Sequence, residues 1–255
     1  MEDLRVRWRE WRELFAGRRH RPLPVPDTTS EYSDLPESLA RSLAIFQLGE
    51  SGGGTIIEQA RASRLPQIDE NYVEAMALFV REENRHAEIL ALCVRQLGGD
   101  LIKENWTARL FVSARRLIGI RLKVLVLLAA EVVGICYYHL IASRLPQTPM
   151  KNWLQELVID EQSHLDFHCC FLHSQADRRW KRWLFIMVWR STMLLAAVAV
   201  LIDHRVAIKE LGISRPAIWR RWMTYSRLAE RLVVFSISFI VISPLLIGGS
   251  QSNPI

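Results

Sequence analysis

The sequence predicts an all-α protein: a four-helix bundle built from two repeated helical hairpins, followed by two C-terminal helices. Apolar residues recur at helical spacing through most of the 255 residues, one hexapeptide occurs twice, and a proline interrupts the helical pattern at the matching place in each half. Helical periodicity is the main sequence signal for helices, and proline ends them. Because 50% of the residues are apolar, the chain can bury a core, which excludes global disorder.

The repeated hexapeptide, Ala-Ser-Arg-Leu-Pro-Gln, occupies residues 62–67 and 142–147. An identical hexapeptide in a chain this short indicates a duplicated unit. Each unit has the pattern helix, proline break, helix, and two such hairpins form a four-helix bundle. Gly98 and Gly99 are expected to close the second helix. The predicted helices cover residues 38–64, 68–97, 116–144, 149–176, 179–211 and 216–243.

Charge and tryptophan placement divide the chain into three parts. These are a basic N-terminal arm (1–37), the bundle (38–176) and C-terminal apolar and basic helices (177–255). The net charge is +6, and 28 of the 33 basic residues are arginine. Tryptophan beside arginine is typical of a bilayer interface, so we expect peripheral membrane contact through the two flanking parts. Seven of the nine tryptophans lie in arginine-rich segments: Trp8, Trp11, Trp180, Trp183, Trp189, Trp219 and Trp222.

Three apolar stretches, 117–141, 183–202 and 232–248, are candidates for membrane helices. The first carries Arg121, Lys123 and Glu131, which is too much charge for a lipid-facing helix, and the third is shorter than the ~20 residues that a span requires. The second is long enough, but Arg190 within it counts against a span. Buried core helices, helices lying on a membrane and true spans all stay open. The N-terminus does not have the pattern of a signal peptide, and the four cysteines fit reduced thiols. We expect a cytoplasmic protein, peripheral on the inner membrane, with no nucleic-acid partner because no nucleic-acid-binding motif is present.

Glutamate and histidine recur in register with the hexapeptide. The second helix of each predicted hairpin carries Glu-x-x-His, and the first carries a lone glutamate at a matching distance from the hairpin proline. At about 1.5 Å rise per residue, all these side chains lie at one height in the bundle. A carboxylate inside an apolar run is costly to bury unless it is paired or bound to metal, so the pattern predicts a metal site. Its six candidate ligands are Glu50, Glu83, His86, Glu131, Glu161 and His164.

Over residues 38–176, this pattern resembles the ferritin-like di-iron carboxylate superfamily. The resemblance implies that the six residues bind two iron ions, or a manganese–iron pair, which activate O₂. It further implies that Asp160 and Glu82, each directly before a Glu-x-x-His glutamate, orient a ligand histidine. The duplicated compact bundle with Gly49-Glu50 is similar to demethoxyubiquinone hydroxylase. Acyl desaturases, aldehyde-deformylating oxygenases and ribonucleotide reductase small subunits share the six ligands.

Three further residues are candidates for lining the site. Gly53 belongs to a glycine-rich segment after Glu50, and Gly134 follows Glu131 at the same offset. Glycine in a helix costs about 1 kcal/mol relative to alanine, so these residues indicate room for substrate or O₂, or close helix packing. His168 follows His164 by one turn and is a seventh ligand, a hydrogen-bond partner or a core histidine.

These observations predict an O₂-dependent di-iron oxidase or hydroxylase with an electron donor of unspecified kind. The bundle interior consists mainly of leucine, isoleucine, valine, phenylalanine and alanine. We therefore expect a lipophilic substrate: a quinone-like ring, a fatty acyl chain or an isoprenoid. The alternative is a non-catalytic ferritin-like iron-binding protein, which the Trp- and Arg-rich flanking segments disfavour.

Overall fold

The computed structural model describes residues 2–28, 32–51, 54–107, 109 and 119–235. In these ranges the regular elements are α-helices, which confirms the predicted fold class. The helices are α1 (Glu2–Arg18), α2 (Glu37–Glu50), α3 (Thr55–Ala62), α4 (Glu70–Gln96), α5 (Ile120–Ala142), α6 (Pro149–Gln175), α7 (Arg179–Asp203), α8 (Arg205–Glu210) and α9 (Arg215–Phe235).

The two hairpins form the centre of the fold. In the first, α2 and α3 pack on α4; in the second, α5 packs on α6. The two copies of the hexapeptide occupy equivalent places, because Ala62 ends α3 and Ala142 ends α5, with Ser63 and Ser143 as the capping residues. Contacts between α3 and α5 and between α4 and α6 join the hairpins into one bundle. Sequence repetition therefore corresponds to structural repetition.

Local signals account for the ends of the long helices. The Asp69 side chain accepts a hydrogen bond from the Tyr72 amide at 2.9 Å and caps the start of α4. Gly98, with φ of 70°, turns the chain out of α4, and the Gly99 amide donates back to the Val94 carbonyl at 2.9 Å. Proline at the first position of α6 needs no amide partner there.

Two predicted helices are interrupted, so their continuous spans were wrong. The first hairpin helix stops at Glu50 and resumes at Thr55, because the intervening glycine-rich segment has low helix propensity. The helix expected over 179–211 breaks at His204, whose Nδ1 lies 2.7 Å from the buried Ser42 hydroxyl. The predicted ends at 116–118 and 236–243 lie outside the described residues.

Helix α1 packs along α4 instead of standing apart from the bundle. Trp8 and Phe15 are fully buried, and the Trp8 indole donates to the Gln67 carbonyl at 2.8 Å. The expectation that the flanking tryptophans face lipid is therefore wrong for Trp8, and also for the buried Trp189 and Trp222. The division of the chain into three parts stays a prediction.

The two most apolar helices have different surroundings. In the most apolar 18-residue window, 83% of the residues are buried for α5 but only 22% for α7. Helix α5 is thus a core helix, packed on α6, α7 and α9. Helix α7 packs on α5 and α9 along one side and leaves the opposite side exposed.

Candidate metal centre

The two Glu-x-x-His pairs meet between α4 and α6. One ligand atom from each of Glu83, His86, Glu161 and His164 lies within 4.8 Å of the others, and all four residues are buried. An i, i+3 pair projects from one face of a helix, so each helix contributes one carboxylate and one imidazole to the same point. The structure thus brings together two halves of the site that lie 78 positions apart in sequence.

The facing atoms approach closely but are not satisfied by one another. His86 Nδ1 lies 3.1 Å from Glu161 Oε1, and His164 Nδ1 lies 2.9 Å from Glu83 Oε1. Both glutamate oxygens and His86 Nδ1 nevertheless have no partner of hydrogen-bond geometry among the described residues. Buried polar atoms are rarely left unpaired. Metal ligands present lone pairs that are not occupied by hydrogen bonds, and these three atoms meet that requirement.

The outer nitrogens of both histidines are held crosswise by acidic residues. His86 Nε2, on α4, lies 3.4 Å from Asp160 Oδ2 on α6, whereas His164 Nε2, on α6, lies 2.9 Å from Glu82 Oε2 on α4. A carboxylate that accepts from one imidazole nitrogen sets the tautomer and leaves the other nitrogen free to bind metal. Each acid therefore serves the histidine of the opposite repeat, which the sequence did not specify.

The two lone glutamates reach the cluster from α2 and α5. Glu131, 3% exposed, has Oε2 3.8 Å from His164 Nδ1. Glu50 is the last residue of α2, and its Oε1 accepts a hydrogen bond from the Tyr138 hydroxyl at 2.6 Å. Glu131 thus contacts the four-residue cluster directly, whereas Glu50 is half-buried and is held by Tyr138.

The carboxylates perturb one another strongly. Burial raises the pKa of Glu50 well above its usual range, and the charges of Glu83 and Glu161 raise it further. Burial and the same two neighbours also raise the pKa of Glu131. Burial acts in the same direction on Glu161, but the neighbouring side chains of Glu131, His164 and His86 outweigh it and hold the pKa of Glu161 well below its usual range.

Burial acts in the opposite direction on the histidines, because it disfavours the protonated imidazole. The nearby carboxylates of Asp160 and Glu161 outweigh burial and raise the pKa of His86 to about 10. Carboxylate neighbours likewise raise the pKa of His164 well above its usual range. Neighbouring carboxylates thus contribute to the raised pKa values of Glu50, Glu131 and both histidines. The charge and the unpaired donor atoms together fit a pair of divalent cations.

Helix α1 and the segment directly after it contribute two arginines that the sequence did not suggest as part of the site. Arg21 Nη1 donates to both oxygens of Asp160, at 2.8 and 2.9 Å. Arg18 Nη1 lies 3.3 Å from Asp160 and 3.8 Å from Glu82. The two acids behind the histidines are therefore neutralised by cations from outside the hairpins. No local sequence signal could reveal contacts about 140 residues apart.

Tyr138 is a third residue whose role at the site the sequence did not indicate. It lies two turns after Glu131, on the same face of α5, and this spacing was the available signal. Gly134 lies between them. A Cβ atom at Gly134 would lie 3.3 Å from the Tyr138 ring and 3.9 Å from the Glu161 carboxyl carbon. This glycine leaves space for the tyrosine that holds Glu50.

His168 contacts the cluster from its edge. Its Nε2 lies 3.3 Å from Glu131 Oε1, and neither ring nitrogen has a partner of hydrogen-bond geometry among the described residues. The ring packs edge-on to Phe79 at 4.7 Å, and burial lowers the pKa of His168 to about 3. It is therefore a neutral neighbour of Glu131. Gly53 lies outside the described residues.

The helical bundle, with carboxylates and imidazoles converging at its centre, has a ferritin-like fold. Among solved structures, the chain is similar to "Protein 19 with aldehyde deformylating oxidase activity from Synechococcus", with a TM-score of 0.60 and 18% sequence identity. The similarity covers 81% of this chain and 94% of that one. No protein-family model and no curated protein sequence matches the chain.

Proposed function

We propose that this protein is an O₂-dependent di-iron oxidase. One observation carries the proposal: the two Glu-x-x-His pairs converge on one point, and Glu83 Oε1, His86 Nδ1 and Glu161 Oε1 have no hydrogen-bond partner there among the described residues. Asp160 and Glu82 hold the outer nitrogens of the two histidines. The aldehyde deformylating oxidase activity of the structural neighbour supports the same reaction class. The ligands would be Glu50, Glu83, His86, Glu131, Glu161 and His164.

The chain's own side chains have distinct tasks in this proposal. Bound iron would supply the binding and reduction of O₂, with electrons from an external donor. Asp160 and Glu82 keep Nδ1 of each histidine directed at the metals, and the Tyr138 hydroxyl fixes one carboxylate oxygen of Glu50. Arg18 and Arg21 compensate the charge of the two outer acids, so that this negative charge stays stable beside a buried site.

The substrate in this proposal is lipophilic. Phe15 and Phe79 pack edge-on to His164, at 5.8 and 4.8 Å, and leave a polar substrate few partners. The structural neighbour's activity makes a long-chain aldehyde the first compound to test. A quinone-like ring, a fatty acyl chain and an isoprenoid are the other candidates. The similarity to demethoxyubiquinone hydroxylase rests on sequence features alone.

Iron binding is tested first. The full chain is reconstituted with Fe(II) without oxygen, desalted and analysed for metal, and we expect about two iron ions per chain. Glu83→Ala should lose most of this iron, because it removes a ligand shared by the cluster. Glu88→Ala is the matched control, since this exposed glutamate lies on the same helix and should keep the iron. Equal iron in both variants would refute the ligand assignment.

Turnover is tested next, with the reconstituted protein, a chemical reductant, O₂ and a long-chain aldehyde or a quinone-like compound. The proposal expects O₂ consumption that depends on both iron and the apolar substrate, with an oxidised product identified by mass spectrometry. Two iron ions per chain without substrate-dependent O₂ consumption across the panel would favour the alternative, a ferritin-like protein that binds iron without catalysis.

A further inference from the structure

Helix α7 is apolar on two opposite faces. Its inner face packs on the rest of the protein through Phe185, Trp189, Met193 and Ala197, which recur every four residues. Its outer face carries large apolar side chains that stay exposed, among them Trp183 at 63% and Leu195 at 71%. An ordinary surface helix has one apolar face, which it buries. The outer face of α7 therefore needs a separate explanation.

The exposed residues form one continuous stripe. At 3.6 residues per turn, the exposed apolar positions from Trp180 to Ile202 fall within an arc of about 120°, and the stripe is about 33 Å long. The exposed Arg190 lies just outside this arc and pairs with Glu230. Only Ser191 is polar on that arc. Soluble monomers usually expose large apolar residues singly, so a stripe of this length indicates an interaction surface. Its other exposed members include Leu184, Met187, Leu194 and Val198.

The N-terminal end of the stripe is cationic. Arg178, Arg179 and Arg182 lie at the start of α7, beside the exposed indoles of Trp180 and Trp183. Among the described residues, the acids along the helix are already engaged. Asp177 pairs with Lys181 at 2.6 Å, Glu230 pairs with Arg190 at 2.8 Å, and Asp203 accepts from Thr107 at 2.5 Å.

We propose that α7 docks this stripe on an anionic lipid bilayer, with the helix axis along the membrane surface. The apolar side chains enter the boundary between headgroups and acyl chains, the indoles lie at headgroup depth, and the arginines meet lipid phosphates. A second copy of the chain fits less well, because it would present the same cationic end. The proposal goes beyond the chemistry of the metal centre and does not depend on it.

The packing of α7 decides against a crossing helix. Its inner face contacts α5 and α9, and α9 carries exposed charges at Arg215, Arg220 and Arg227. A helix crossing the bilayer with these contacts intact would carry those charges into the hydrocarbon core, which is strongly unfavourable. Lying on the surface buries the stripe and keeps the arginines in water or among headgroups.

Vesicle cosedimentation tests the proposal with the full chain. We expect binding to vesicles of phosphatidylcholine mixed with phosphatidylglycerol, weaker binding to phosphatidylcholine alone, and a decrease as salt is added. Leu195→Glu should weaken binding about tenfold or more, because it places a charge at the most exposed apolar position of the stripe. Val25→Glu is the control: Val25 is 82% exposed and does not belong to the stripe, so binding should not change.

Other outcomes would overturn the proposal. Absence of vesicle binding by the full chain would do so, and would favour another occupant of the stripe, such as residues 236–255. Equal binding by the wild type and Leu195→Glu would place the lipid contact elsewhere. A dimer in sedimentation analysis that Leu195→Glu dissociates would identify a second copy as the partner. Iron content measured on the same variants separates these outcomes from failure of the metal site.

Discussion

Phe15 provides a direct test of whether α1 belongs to the bundle core. The residue is fully buried. Its ring lies edge-on to the Phe167 ring at 5.4 Å and to the His164 ring at 5.8 Å. If α1 is docked as described, Phe15→Ala leaves a cavity between α1 and the metal site. If α1 were a detached arm, the same truncation would have little effect.

The expected magnitude follows from the burial. Truncating a fully buried phenylalanine to alanine costs about 3–5 kcal/mol, through lost transfer free energy and the cavity left behind. For a chain of this size, that corresponds to a decrease in Tm of roughly 6–20 °C. Leu14→Ala is the matched control, because Leu14 precedes Phe15 on the same helix but is 40% exposed. This change should cost less than about 1 kcal/mol.

The measurement is equilibrium urea denaturation of both variants after removal of metal, so that iron binding does not contribute to the free energy of unfolding. Iron affinity, measured by competition with a chelator, is a second readout, because Phe15 contacts a ligand histidine. If Phe15→Ala and Leu14→Ala lower the stability equally and modestly, α1 is not part of the core and the arginine contacts to Asp160 lose their support.

Two further predictions concern the outer acid of the metal site and a buried histidine remote from it. Asp160→Asn should preserve the fold but weaken iron binding about 10–100-fold in chelator competition, because it removes the negative charge that Arg21 holds behind His86. The exposed control Asp100→Asn should bind iron as the wild type does. Equal iron affinities of the two variants would contradict this role of Asp160. Burial lowers the pKa of His204 to about 4, so the unfolded chain binds a proton near pH 6.5 before the folded state does. The wild type should therefore lose about 2 kcal/mol more than His204→Gln between pH 7 and 5 in urea denaturation, and equal losses would refute the assignment.

The six candidate ligands could be identified from the sequence because the relevant quantities are local. Helical rise and the distance of each residue from the hairpin proline set its height in the bundle, and the duplication supplied an independent check. The crosswise pairing of Asp160 with His86 and of Glu82 with His164 was not accessible in this way. It depends on how α4 and α6 are rotated about their axes.

In the flanking segments, composition does not predict which tryptophans are buried. Tryptophan beside arginine is typical of a bilayer interface, yet Trp8 is buried in the core whereas Trp180 and Trp183 are exposed on α7. The same two residue types are compatible with a core contact or a lipid contact. The helix positions that face the bundle decide between them, and these depend on packing.

The sequence alone was sufficient to predict the helical fold class, the duplicated hairpins and the candidate ligand residues. These predictions rest on periodicity, proline breaks and the register of the repeat, which act over one or a few helical turns. Tertiary packing decided the rest. It brought Arg18 and Arg21 to Asp160, Tyr138 to Glu50, and α1 into the core, while it left one face of α7 uncovered. Contacts between residues far apart in the chain form only when helix faces meet, and burial and charge compensation act at those faces.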